Sequence, residues 1–150
     1  APLTPDEIAQ RAAAEHKRRA EEAERMRQLR LDQALLETYR SVQDLDSRRD
    51  RELRELDRSI RELRARESEL IERQRVMIDE ATHTDKSDVA ASLEADIRLL
   101  DSEIAAQSSV VAAKLRERNA VVERFEEHRR RYVELTSAPE SARIPPMPRR

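Results

Sequence analysis

The sequence predicts an all-α protein: a long antiparallel helical hairpin (a coiled coil) with an additional N-terminal helix and a disordered, Pro-rich tail. Three observations point there. The 150 residues include no glycine, 41% of them are charged, and the apolar positions recur in steps of three, four and seven. Tight strand hairpins and phosphate-binding loops need residues that tolerate positive φ, so a glycine-free chain argues against both. It also excludes a dinucleotide fingerprint and a nucleophile elbow. With no cysteine, disulfides, CxxC zinc sites and thiol nucleophiles are excluded as well. The expected organisation is a charged helix over 1–40, the hairpin over 41–136 with its turn near 82–88, and the tail over 137–150.

The first helix starts at Thr4-Pro5-Asp6-Glu7. Thr4 suits the N-cap, Pro5 the first helical position, and Glu7 completes a capping box. Its apolar stripe of Ile8, Ala12, Ala20, Ala23 and Met26 is thin, and thickens only at Leu31, Leu35, Leu36 and Tyr39. The first half is therefore expected to be solvated. A second start lies at Ser41, an N-cap with Asp44 three residues on. Leu53, Leu56, Ile60, Leu63, Leu70, Met77 and Ala81 then form an a/d seam interrupted by Glu67 and Gln74. Val42 stands eleven residues before Leu53, so the seam changes phase beside Ser41, through a kink or a stutter.

Small polar residues over 82–88 mark the reversal. The returning seam is Leu93, Ile97, Leu100, Ile104, Val111, Leu115, Val122, Phe125, Tyr132 and Leu135, a helix of about 48 residues and about 70 Å. Pro139, Pro145, Pro146 and Pro148 then forbid further helix. For a turn centred near residue 85, the numbers of facing partners should add to 170 or 171. Met77 with Leu93, Leu70 with Leu100, Ile60 with Val111 and Leu45 with Phe125 all obey this. So do Glu67 with Ile104, Gln74 with Ile97, and Tyr39 with Tyr132. The three aromatics are thereby expected at the open base. Ile71, Ile78, Leu99, Val110 and Val121 flank the seams and call for a third surface, from residues 6–39 or from a second copy. The thin stripe of 6–39 favours the second copy, so a homodimer is expected.

Charge excludes further classes. The 30 basic and 32 acidic side chains are interleaved, and only the tail leans positive, so no nucleic-acid stripe forms. The longest apolar run is Val110-Val111-Ala112-Ala113, too short to span a membrane. The chain opens Ala1-Pro2 rather than with Met, as expected of a processed mature chain or a shortened recombinant form. Glu80-x-x-His83 has the spacing of a di-iron ligand pair, but one such pair beside a turn is better explained as a solvated tip. His16 and His128 are expected at the surface. Lys17-Arg18-Arg19 and Arg129-Arg130-Arg131 are flanked by acids and read as salt-bridged faces. Ile144-Pro145-Pro146-Met147-Pro148 could form a polyproline ligand, although a disordered end accounts for it more simply. Glu67 and Gln74 are expected to set register rather than bind a ligand. No metal, cofactor or catalytic residue is implied.

Leu35-Leu36-x-Thr38-Tyr39-x-Ser41, followed by Arg49-Asp50-x-x-Leu53, resembles a family of proteobacterial proteins of unknown function. Leu3-Thr4-Pro5-x-Glu7 and Arg124-Phe125…Arg131-x-x-Glu134-Leu135 resemble that family's edges, so the likeness covers 3–135. It implies a secreted, periplasmic or envelope location and a helical coiled-coil region, and no catalytic residue. The family's small N-terminal domain has no counterpart in this sequence. The expected function is a non-enzymatic coiled-coil interaction or scaffold protein that binds a protein partner through Tyr39, Phe125 and Tyr132. The alternative is a periplasmic holdase-type chaperone that grips unfolded clients between helical arms. Aggregation suppression separates the two.

Overall fold

A computed structural model describes residues 1–137. They form three α-helices, α1 (Pro5–Thr38), α2 (Val42–His83) and α3 (Ser87–Ser137), with no strand among the described residues. The fold is the expected all-α one. Ser137 closes α3, and the rest of the expected tail lies outside the described residues.

The chain divides into two compact units. Unit 2, Ser47–Phe125, is the antiparallel hairpin. Leu56, Ile60 and Leu70 from α2 and Leu100, Val111 and Val121 from α3 are buried in it. Burying each such side chain contributes about 1.5–3 kcal/mol, which is what holds two otherwise polar helices together. The register rule is met by hydrogen bonds: the Gln74 side-chain amide donates to Ile97 O (3.0 Å), and that of Gln107 to Leu63 O (2.9 Å). Val121, expected on an exposed flank, is buried. Stepping by three and four from Val111 through Lys114 and Arg118 brings 121 into the seam, and Val122 is left half-buried beside it. Ion pairs clamp the lower part, from Arg118 to Asp57 (2.6 Å) and from Arg124 to Glu52 (3.0 Å). The Arg118 guanidinium holds the Asp57 carboxyl below its ordinary range. The reversal needs no glycine. Thr84 N–H donates to Glu80 O, Lys86 N–H to the Thr84 hydroxyl, and no described residue has positive φ.

Unit 1 holds residues 1–46 of α1 and the start of α2, with α3 from Glu126 onward. Thr4 is the N-cap, its hydroxyl accepting from Glu7 N–H (3.2 Å), with Pro5 next to it. From there to Arg30 nothing on α1 is buried. The helix survives on propensity and on pairs such as Glu15 with Arg19 (3.2 Å) and Glu22 with Arg25 (3.0 Å). Its first half is thus solvated, as the thin stripe implies.

In place of the expected kink or stutter at Ser41 there is a full break. Tyr39 is extended (φ −112°, ψ 135°), which ends α1, and α2 restarts with the Ser41 hydroxyl accepting from Asp44 N–H (3.0 Å). The Asp44 carboxylate reaches back to Arg40 N–H (3.0 Å). Reciprocal capping of this kind makes a fresh helix start less costly than a continuous helix carrying a phase error.

Candidate functional site

Two places in the molecule concentrate chemistry or unpartnered surface, one in each unit. In unit 1, Asp32 is 4% exposed, although it is an acid on the thin stripe of α1. Arg131 of α3 grips it with both arms, Nε to Oδ1 at 2.9 Å and Nη2 to Oδ2 at 2.6 Å, and Gln28 Nε2 adds a third donor at 2.9 Å. Three donors on one buried carboxylate are what burial of such a charge requires. The Arg131 guanidinium holds Asp32 below the usual carboxylate range, and Asp32 in turn raises Arg131. The pair favours the charged form of both groups, and the carboxylate acts as a strut that ties α1 to α3.

Beside it, Tyr132 Oη donates to Tyr39 O (3.2 Å) at the helix break. The two tyrosine rings meet edge to face at 6.4 Å and 86°. Tyr39 Oη stands 3.4 Å from His128 Nδ1, and Arg129 pairs with Asp46 (3.0 Å). His128 is therefore half-buried against Tyr39, a correction to its expected surface position. Arg130 keeps the expected exposed pairing, with Glu127 and Glu134, whereas Arg131 does not. Tyr39 and Tyr132 come together, as their residue numbers require.

The expected docking role of Tyr39, Phe125 and Tyr132 meets an obstacle, since all three are buried within the chain. A docking hot spot must be reachable from outside, and these rings are spent on internal packing. Phe125 belongs to unit 2, where the Arg124 guanidinium lies 5.2 Å from its ring centroid.

Both units leave large apolar side chains exposed, Ile8 and Leu31 among them in unit 1, and unit 2 carries a larger set. Ile71 and Ile78, seven residues apart on α2, are 50% and 47% exposed. Leu99 and Val110 on α3 are 64% and 47% exposed, and Val76 and Val89 are exposed too. Glu67 and Gln74 are half-buried in the seam between the helices. Gln74 also donates to Asp101 Oδ1 (2.6 Å), so its amide ties two groups of the opposite helix to one register. Replacing both Glu67 and Gln74 with Leu is expected to raise the melting temperature by a few °C for each kcal/mol gained. It should also loosen the choice of register, which thermal unfolding and cysteine cross-linking would read out. A fall in melting temperature would contradict this.

His83 pairs with Asp79 (3.4 Å) at the exposed tip, and His16 is exposed. No cluster of three or more metal-ligating side chains occurs among the described residues, and none of their helices is long and apolar enough to cross a membrane. Sequence patterns missed Gln107, a seam residue seen once the 3-4 alternation is continued from Ile104, and they missed the Asp32–Arg131 pair. No protein-family model, curated protein or solved structure matches the chain.

Proposed function

We propose that this chain is a non-enzymatic coiled-coil interaction or scaffold protein of the bacterial cell envelope, with the unit 2 hairpin as its binding element. The observation that carries this reading is the set of large apolar side chains left exposed on the hairpin, led by Ile71, Ile78 and Leu99. Single exposed hydrophobics are ordinary. Ile71 and Ile78 repeat at heptad spacing on a chain that is 41% charged, which favours a surface kept for another helix. The envelope location rests on the resemblance carried by Leu35-Leu36-x-Thr38-Tyr39-x-Ser41. Among the alternatives, a holdase would offer apolar faces between separated arms, whereas here Leu56, Ile60, Leu70, Leu100 and Val111 are buried in the seam.

The test is affinity capture from native envelope with the wild-type chain and with an Ile71→Ser/Ile78→Ser/Leu99→Ser variant of unchanged circular dichroism. The expected result is loss of the captured protein with the variant. Equal capture by both would refute the binding surface, and suppression of aggregation of an unfolded client would move the assignment to the chaperone.

A further inference from the structure

Nothing in residues 5–27 of α1 is buried, yet the stretch is helical throughout. Among the described residues, every side-chain hydrogen bond and ion pair it makes is to a residue at most four positions away. Glu15 pairs with Arg18 and Arg19, Lys17 with Glu21, Glu22 with Arg25, and Glu24 with Arg27. In these Glu–Arg pairs the glutamate stands on the N-terminal side, the orientation that supports a helix best. Nineteen of the 23 residues are Ala, Glu, Arg, Lys, Gln or Met, all strong helix formers. The two large apolar side chains, Ile8 and Met26, are 54% and 38% exposed. They stand 18 positions apart, about 27 Å, too far to make a docking stripe. A helix meant to be covered would carry apolar steps of three and four, as α2 does.

We infer that residues 5–27 are a self-supporting helical arm, a spacer about 35 Å long that keeps its length with no second helix beside it. The costly step for a lone helix is its first turn, where several residues are fixed for one hydrogen bond. Here the anchored end of α1 supplies that turn. Arg131 of α3 grips Asp32, and Leu35 and Leu36 are half-buried. Residues 5–27 need only propagate from this segment, one hydrogen bond for each residue added. The far end is closed by the Thr4 cap and Pro5, which suppress fraying where no packing could. The role is mechanical and independent of any binding by the hairpin. The arm fixes the distance between its capped end at Thr4 and the anchored segment at Asp32.

The experiment measures a distance and a protection pattern in the full chain. The sequence has no cysteine, so Ala9→Cys/Arg30→Cys admits a single pair of spin labels. They should give one narrow distance of about 32 Å, the rise of 21 helical residues, unchanged on tenfold dilution. Amide exchange of the unlabelled chain should be slower over 7–27 than in an unfolded segment. It should also be at least a hundredfold faster there than at Leu100 and Val111 of the buried seam. Glu15→Gln/Glu22→Gln/Glu24→Gln should speed exchange over 7–27 at least twofold and leave Leu100 and Val111 unchanged. Three results would each overturn the proposal: a broad distance distribution, a distance that sharpens only on concentration, or protection over 7–27 equal to that of the seam. The last two would mean that a second copy, or another part of the chain, covers the arm. Exchange unaltered by the three glutamines would overturn it too, by removing the local pairs as its support.

Discussion

Asp32→Ala is expected to destabilise the chain by about 2 kcal/mol at pH 7, measured by urea unfolding. Removing one partner of a buried ion pair costs about 3–5 kcal/mol when the other is stranded. Here the cost is smaller, because Arg131 is about a third exposed and keeps Glu134 at 3.0 Å. The effect has a defined pH dependence. The folded-state pKa of Asp32 is depressed, so the stability it contributes is fully present above the unfolded aspartate value of about 3.9. That stability is lost as pH falls through the lower folded value. Wild type and variant should therefore differ at neutral pH and converge in acid. A difference that persists unchanged to pH 2 would mean that Asp32 acts through packing alone.

Tyr132→Ala should cost more, about 3–5 kcal/mol, as for other buried aromatics cut to alanine. It removes a buried ring, its edge-to-face partner contact with Tyr39, and the hydroxyl that satisfies Tyr39 O. Tyr132→Phe keeps the ring and loses only the donation, about 1 kcal/mol. This pair of variants separates an internal support from a docking residue. An internal support lowers stability in the isolated chain, whereas a docking residue leaves stability unchanged and lowers only partner binding. The burial of Tyr132 requires the first outcome.

The hairpin was legible in the sequence because its signal is redundant. Apolar steps of three and four recur on both helices, and the polar interruptions at Glu67 and Gln74 fall opposite Ile104 and Ile97. Gln74 shows how strong that constraint is, since its amide bonds the backbone of the residue that the register rule pairs with it. The caps at Thr4 and Ser41 were legible for a similar reason, because a hydroxyl followed three residues later by an acid has few other local uses. Unit 1 was not legible. Asp32 sits on a thin stripe among charges, where an acid reads as solvated, and its partner Arg131 lies 99 residues away within a triple arginine. No local pattern distinguishes the one arginine that turns inward from its two neighbours. The role of the three aromatics is not legible in the sequence for a related reason. Clustering at one end suits a docking patch and a small core equally well, and only burial decides between them.

The account depends most on the helical register, and cysteine pairs test it directly because the chain has no cysteine of its own. Gln74→Cys with Ile97→Cys places two thiols on facing positions, and Gln74→Cys with Ile104→Cys places them two turns out of step. Disulfides form only where Cα atoms come within about 7 Å. Mild oxidation should close an intramolecular disulfide in the first pair and leave the second reduced, as read by mass spectrometry of tryptic fragments. Cross-linking of the second pair, or of neither, would contradict the register on which the hairpin and its exposed surface are built.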